Sequence, residues 1–263
     1  MKMNKSNCEK AEMLVEVLPY VNRFRDKIIV IKYGGNAMIN EDLKKAVMQD
    51  LLLMKSVGMH PILVHGGGPA INDMLKKLKV ESHFEQGLRV TDKETMEIVE
   101  MVLAGKVNKD IVGTLNQIGG KGIGLSGKDG NLIQARKKYL EKNGEKIDIG
   151  YVGEVEAVNK EMLESLIYSG YIPVISSIGM GKDGMSYNIN ADYVAGAVAK
   201  AVQANKFILL TDVEGIFRDY HDKDSLISRI TLEDIEALEA DGIISGGMVP
   251  KVDCCIDALK GGV

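Results

Sequence analysis

The stretch KIIVIKYGGN, residues 27–36, decides the fold. A short aliphatic run that ends in glycine and leads into a helical pattern is typical of a parallel βαβ unit. Comparable runs occur at residues 60–65, 171–176 and 207–211. Helical patterns at residues 41–57 and 190–204 are suited to cover such a sheet. The sequence therefore predicts an α/β fold, a three-layer αβα sandwich around a mainly parallel central sheet.

Two segments depart from this repeat. Residues 119–156 mix glycine-rich turns with alternating stretches, and we expect them to form antiparallel hairpins on one edge of the sheet. Residues 1–26 place Ala11, Leu14, Leu18 and Val21 on one stripe, which predicts an amphipathic helix. Such a helix either packs on its own domain or docks on a partner subunit, and periodicity does not separate the two.

Composition excludes several classes of protein. The chain has 263 residues, 45% hydrophobic and 27% charged, with a net charge of -4, which is typical of a folded globular protein. An acidic balance without tryptophan speaks against nucleic-acid binding, and the apolar runs are too short to span a bilayer. Three cysteines form no framework, and glutamates interrupt the N-terminal apolar residues. We expect a cytoplasmic protein with small-molecule ligands.

Two familiar phosphate-binding patterns overlap near the middle of the chain. Gly122, Gly124 and Gly127 satisfy G-x-G-x-x-G, and residues 122–128 satisfy most of a P-loop. Asp129 stands where a P-loop requires Ser or Thr, and the segment follows a helical pattern, so both matches are interpreted as false. The spacing of the four histidines is not typical of metal ligands, so the sequence does not predict a protein-bound metal.

Glycine loops at two strand ends carry more information. The segments IKYGGN, residues 31–36, and LVHGGGP, residues 63–69, expose backbone N–H groups where α/β folds bind ligands. A helix that begins near Pro69 would point its positive end at an anion. The loops therefore predict a phosphate or carboxylate site, although tight turns needed only for the topology remain an alternative.

Lysines and one aspartate complete the candidate chemistry. Lys32 ends an apolar strand, so its ammonium is expected at the carboxyl end of the sheet, and Lys251 follows the glycine turn Gly246-Gly247. Asp192 lies at a predicted helix start, where it either supports the N-cap or positions cations. Solvated lysines and an ordinary loop remain alternatives for the two cations.

These segments, taken in order, resemble the amino acid kinase family, and within it most of all the members that phosphorylate N-acetyl-L-glutamate. The resemblance covers residues 27–260. It rests on six motifs: IKYGG (31–35), HGGGP (65–69), GLRVT (87–91), NINAD (188–192), LTDVEGI (210–216) and GGMVPK (246–251). The Arg89 motif is the most specific for the substrate.

The resemblance implies ATP-dependent phosphorylation of the γ-carboxylate of N-acetyl-L-glutamate, the second step of arginine biosynthesis. It assigns catalysis to Lys32, Lys251, Asp192 and Gly35. It assigns the acyl substrate to Gly67, Gly68, Arg89 and Asn188. It assigns the nucleotide to Asp212, Val213, Glu214, Gly215, Ile216, Phe217, Ile243, Ile244 and Ser245. A sibling kinase with another carboxylate or carbamate substrate, or a non-catalytic sensor of nucleotide or arginine, remains an alternative.

The resemblance also implies an organisation and partners. Residues 1–26 would be an oligomerisation arm, residues 27–178 an acyl-substrate lobe and residues 179–263 a nucleotide lobe. The cosubstrate would be ATP, with Mg²⁺ bound through its phosphates. A homodimer or a homohexamer inhibited by arginine is expected. The chain ends earlier than is usual for this family, so we expect a lobe that lacks its C-terminal end.

Overall fold

The computed structural model describes residues 6–38, 40–142 and 144–263. In chain order, the strands are β1 (Ile28–Tyr33), β2 (His60–His65), β3 (Phe84–Glu85), β4 (Leu88–Arg89), β5 (Gly122–Leu125), β6 (Ile133–Lys142), β7 (Glu145–Val158), β8 (Ile172–Ser176), β9 (Ile178–Gly181), β10 (Ser186–Asn188) and β11 (Lys206–Leu209). The α-helices are α1 (Asn7–Phe24), α2 (Glu41–Ser56), α3 (Gly68–Leu78), α4 (Lys93–Glu100), α5 (Asn108–Gln117), α6 (Lys160–Tyr168), α7 (Ala191–Ala201), α8 (Ile235–Ala240) and α9 (Val249–Lys260). A π-helix, Met101–Val107, joins α4 to α5.

The central sheet has five strands in the order β11-β1-β2-β8-β5, and every neighbouring pair is parallel. All six residues of β1 are buried, as expected for a strand covered on both faces. Its side chains alternate between two cores, because successive residues of a strand point to opposite faces. Ile28 and Val30 pack with α6 and α7, whereas Ile29 and Ile31 pack with α2, α3 and α5. The predicted three-layer αβα sandwich is confirmed.

A second sheet lies apart from the central one. Strands β6 and β7 pair antiparallel, as the alternating pattern predicted, but β9 and β10 close them into a four-stranded barrel. The expected position on an edge of the central sheet was therefore wrong. Alternation in the sequence identifies a strand and its buried face, whereas its pairing partner comes from a distant part of the chain.

The N-terminal helix is present and well capped. Ser6 and Glu9 form a reciprocal capping box at the start of α1. No residue of α1 is buried, and Leu14 and Leu18 are 75% and 51% exposed. Ala11, Leu14 and Leu18 of the apolar stripe are therefore not covered by the described part of their own chain, whereas Val21 is partly buried, which disfavours the first of the two alternatives. No helix among the described residues is long and apolar enough to cross a membrane.

Candidate active site

The two glycine loops lie side by side at the carboxyl end of the sheet. Tyr33 of β1 is in register with His65 of β2, and the Gly66 N–H donates to the Tyr33 carbonyl at 3.1 Å. The first loop continues into a 3₁₀ turn at Gly35–Met38, and the second leads into α3 with Pro69 in its first turn. Parallel strands that end together bring both loops to the edge where α/β proteins bind ligands.

Asp192 bridges the two predicted catalytic lysines. Its Oδ1 lies 3.1 Å from Lys32 Nζ, and its Oδ2 accepts from Lys251 Nζ at 2.9 Å. The Lys32 contact is ionic, since Oδ1 has no hydrogen bond of good geometry. Asp192 is only 4% exposed and Lys32 only 9%. The carboxylate therefore holds one ammonium group from β1 and one from α9 close together. Asp192 and Lys32 are buried, and buried charges interact more strongly than charges in water.

The first glycine loop fits tightly around these charges. A Cβ at Gly34 would lie 2.8 Å from Lys32 Nζ, so the lysine side chain folds over that residue. Gly35 has a φ of +69°, and a Cβ there would lie 2.5 Å from Asp212 Oδ2. Position 35 favours glycine through its backbone conformation, whereas a Cβ at Gly34 would require the end of the Lys32 side chain to move.

The four predicted acyl-site residues line one cavity of about 220 Å³. Gly67 and Gly68 form one wall, and Asn188, at the end of β10, donates from Nδ2 to Thr91 Oγ1 at 3.3 Å. Arg89 lines the same cavity. Gly67 and Asn188 are thus brought to the same cavity, although 121 positions separate them in the chain.

Arg89 is held by three neighbours that the sequence did not indicate. Its guanidinium donates to Ser82 Oγ and, at 2.5 Å, to Asn72 Oδ1, and it lies 4.6 Å from the ring centroid of Phe84. Burial lowers the pKa of Arg89, but a guanidinium stays charged in proteins. Two of its five N–H donors are engaged by these protein contacts. The remaining donors suit it to a carboxylate.

A second cavity of about 560 Å³ contains most of the predicted nucleotide site. Asp212, Val213, Gly215, Ile216, Phe217, Ile243 and Ser245 line it, together with Lys251. Two predicted residues lie elsewhere. Glu214 is exposed and pairs with Lys223 at 2.9 Å, whereas Ile244 is 3% exposed in a small apolar cluster with Leu238 and Val252. Arg218 and Tyr220, which the sequence analysis did not single out, also line this cavity.

Lys251 connects the two cavities. It lines the larger one and bonds Asp192, which follows Ala191 on the wall of the smaller one. The Lys32, Asp192 and Lys251 group therefore lies next to the lining residues of both cavities. Sequence reasoning found all three of these residues.

The rejected phosphate-loop pattern is part of the core. Gly122 and Gly124 belong to β5, and a Cβ at Gly124 would collide with the Asn108 amide. A Cβ at Gly127 would collide with the Ile178 carbonyl. These glycines allow close packing of the backbone against neighbouring residues. Within the described ranges, no three His, Cys, Asp or Glu side chains form a group able to hold a metal ion.

Comparison with known proteins agrees with this geometry. A sequence profile described as the amino acid kinase family matches residues 27–263. The chain belongs to the amino acid kinase family. A curated acetylglutamate kinase from Heliobacterium modesticaldum is 58% identical over 260 residues, which are 97% of this chain and 88% of that protein. Another from Moorella thermoacetica is 57% identical over 99% of this chain and 90% of its own length.

A solved structure extends the likeness to the fold. The crystal structure of smu.665 from Streptococcus mutans UA159 superposes on this chain with a TM-score of 0.76, and the two sequences are 33% identical. The match covers 90% of this chain and 91% of that one. The predicted resemblance to the family is therefore confirmed.

Proposed function

We propose that this chain transfers the γ-phosphoryl group of ATP to the side-chain carboxylate of N-acetyl-L-glutamate, in arginine biosynthesis. The observation that carries the proposal is the ionic group of Lys32, Asp192 and Lys251, which lies beside a small cavity lined by Arg89 and a larger one lined by Lys251 itself. Relatives 55% to 58% identical over nearly the whole chain are described as acetylglutamate kinases, which supports the choice of acid.

The reaction needs charge compensation more than proton transfer. A carboxylate is already ionised at neutral pH, so it can attack the phosphorus without a general base. Its approach to a triphosphate is opposed by repulsion between two anions, which Lys32 and Lys251 reduce. Negative charge spreads over the equatorial oxygens during transfer, where both ammonium groups and the Gly35 N–H can meet it. Asp192 keeps the two lysines together and prevents their mutual repulsion from separating them.

The acyl substrate would be recognised in the smaller cavity. Arg89 has N–H donors left for bidentate capture of the substrate's other carboxylate, a geometry that lysine does not offer. Gly67 and Gly68 would donate backbone N–H groups, and Asn188 would offer its amide to the acetylamino group. These assignments place the γ-carboxylate toward Lys32.

ATP would lie in the larger cavity, against Asp212, Val213, Gly215, Ile216, Phe217, Ile243 and Ser245, with Glu214 and Ile244 beside them. Mg²⁺ keeps several waters and is commonly held through substrate phosphates, so it needs few protein ligands. Asp192 is already paired with Lys32 and Lys251. This arrangement fits a Mg²⁺ ion that would bind together with the nucleotide and add positive charge at its phosphates.

The organisation of the chain remains part of the proposal. We assign residues 27–178 to acyl-substrate binding, residues 179–263 to nucleotide binding and residues 1–26 to subunit association. The exposed apolar stripe of α1 supports a homodimer or homohexamer, because such a stripe is usually covered by a partner. Inhibition by arginine and a cytoplasmic location remain predictions.

The test is an ADP-release assay with four acceptors: N-acetyl-L-glutamate, glutamate, aspartate and carbamate. We expect N-acetyl-L-glutamate to have the highest kcat/KM. A preference for any of the other three would overturn the substrate assignment while keeping the kinase assignment. ATP binding without turnover of any acceptor would overturn both, and would favour a sensor.

A further inference from the structure

His65 ends β2 immediately before the glycine loop, and the mechanism above gives it no role. It is fully buried, with 0% of its surface exposed. Its Nδ1 lies 2.8 Å from the Gly66 carbonyl oxygen, and its Nε2 lies 3.1 Å from Asn108 Nδ2. Both ring nitrogens therefore have a partner, one on the loop and one on a distant helix.

The orientation of the Asn108 amide decides which ring nitrogen carries the proton. Lys109 Nζ lies 3.2 Å from Asn108 Oδ1 and 3.2 Å from the Gly124 carbonyl. An ammonium only donates, so the amide atom that faces it must be the oxygen. The nitrogen Nδ2 then faces the Val174 carbonyl at 2.8 Å and His65 Nε2. Because Nδ2 only donates, His65 Nε2 accepts, and Nδ1 carries the hydrogen toward the Gly66 carbonyl.

The helix that carries Asn108 has an irregularity at this point. Met101–Val107 is a π-helix, and the Asn108 N–H bonds to the Leu103 carbonyl, five residues back. A π turn holds one residue more than an α turn and shifts the later side chains by about 100° around the axis. Asn108 is fully buried, where its amide reaches His65 at the end of β2 and Val174 in the middle of β8. Leu103, from the same π turn, lies 2.5 Å from where a Gly67 Cβ would stand.

We propose that Lys109, Asn108 and His65 form a relay of positioning residues that fixes the loop through the Gly66 carbonyl and so directs the N–H groups of Gly67 and Gly68 into the acyl cavity. Neither N–H has a hydrogen bond to another described residue, and Gly68 opens α3, where N–H groups have no helical partner. The relay deepens the proposed function and rests on it, because its last members are the assigned donors to N-acetyl-L-glutamate.

Burial supports the neutral ring that the relay requires. It lowers the pKa of His65 to about 4, and the nearby Lys109 ammonium acts in the same direction, against the opposing hydrogen bond to Gly66. The imidazole therefore stays neutral at physiological pH, with a single N–H to give. A charged ring would donate from both nitrogens and would lose the bond from Asn108.

The tautomer is measured directly by NMR of nitrogen-15 histidine in the full chain, with His65→Asn identifying the His65 signals. We expect Nδ1 to be protonated and Nε2 bare at pH 7. In Asn108→Asp, an acceptor faces Nε2, so this nitrogen should gain a proton. A wild-type His65 protonated at Nε2, or an unchanged ring in Asn108→Asp, would overturn the relay.

Kinetics test the effect on the loop. We expect Asn108→Asp and Asn108→Ala to lower kcat/KM for N-acetyl-L-glutamate by about 10-fold or more, the effect of leaving a buried partner unpaired, with KM for ATP nearly unchanged. The matched control is Asn116→Ala on the same helix, whose Oδ1 accepts from the Gly122 N–H at the opposite end of β5. It should reduce stability and leave both kinetic constants unchanged. Equal kinetic losses in the Asn108 and Asn116 variants would reduce the relay to ordinary packing.

A pair of substitutions at position 65 separates the two ring nitrogens. Asparagine can place its amide N–H near the position of Nδ1, whereas glutamine reaches only the position of Nε2. His65→Asn should therefore keep more kcat/KM for the acid than His65→Gln, since it retains the bond to Gly66. The reverse order would contradict the proposal.

The NMR result does not depend on the substrate. If wild-type protein turned over none of the acceptors, the proposed function would fail, while the tautomer and its change in Asn108→Asp would still show whether the relay exists. If the wild type turned over N-acetyl-L-glutamate and the Asn108 variants matched it, the relay would fail and the function would stand.

Discussion

The proposed acyl side and the proposed nucleotide side of the site are built differently. Arg89 and His65 are 8% and 0% exposed and are held by side chains from other elements. The nucleotide side consists mainly of turns between Thr211 and Ser245, supported by a small apolar cluster around Leu238. A buried wall whose side chains are hydrogen-bonded suits selection of one small acid, because buried donors left unpaired by a wrong ligand are costly. The turn-rich side depends more on contacts brought by its ligand.

The largest expected effect tests the group that the two sides share. Lys32→Ala and Lys251→Ala should each lower kcat by roughly 10²-fold to 10³-fold and change KM for N-acetyl-L-glutamate much less, since both ammonium groups act on the moving phosphoryl group. Steady-state kinetics check this, with Lys27→Ala as the control at the exposed opposite end of β1. A loss confined to KM would show that the lysines only bind ground states.

The buried acyl side should also make stability depend on pH. The pKa of His65 is about 4 in the folded protein against an ordinary value of 6.5. Between these two pH values His65 is protonated in the unfolded chain and neutral in the folded chain. The free energy of unfolding therefore decreases as the pH falls from 6.5 to 4. The loss should approach about 3 kcal/mol. Urea unfolding of wild type and His65→Asn measures it, and a difference between them that stays constant with pH would contradict this origin.

Arg89 tests how far the buried wall selects its ligand. Arg89→Lys should raise KM for N-acetyl-L-glutamate by about 10-fold or more, because a lysine offers no bidentate contact and loses the bonds to Ser82 and Asn72. KM for ATP should stay nearly constant. Arg136→Lys is the control, since Arg136 forms an exposed pair with Glu154. An unchanged KM for the acid would remove Arg89 from the substrate site.

The smallest expected effect belongs to the exposed nucleotide side. Lys223 and Glu214 are each 68% exposed in their side chains, although their atoms lie 2.9 Å apart. Lys223→Ala should therefore change the free energy of unfolding by less than about 1 kcal/mol, including its contact with the Phe217 ring. Denaturant unfolding measures this, and a larger loss would show that this side is more tightly organised than its exposure indicates.

Local patterns predicted the parts of this fold that depend on local physics. The aliphatic run of β1, the amphipathic helix α1 and the glycine loops follow from periodicity and turn chemistry, and the structure contains all of them. The hairpin position did not follow, because strand pairing is settled between distant segments. For Arg89, the sequence identified the cation but not Asn72 or Ser82, which have no pattern of their own. The hairpin FEQGLR, with positive φ at Gln86 and Gly87, was the one signal that could have indicated Phe84 beside Arg89.

The sequence by itself determined the layers of the sandwich and the glycine loops at two strand ends, because both depend on residue type and short-range spacing. The catalytic roles of Lys32, Asp192 and Lys251 came from the resemblance of their motifs to a family and stay predictions. Only the tertiary structure decided that one carboxylate joins lysines 219 positions apart, that Glu214 pairs with Lys223 and is absent from the cavity lining, and that a π turn brings Asn108 to His65. Such contacts arise when separate elements pack together, and burial then sets the charge and the direction of every polar group enclosed.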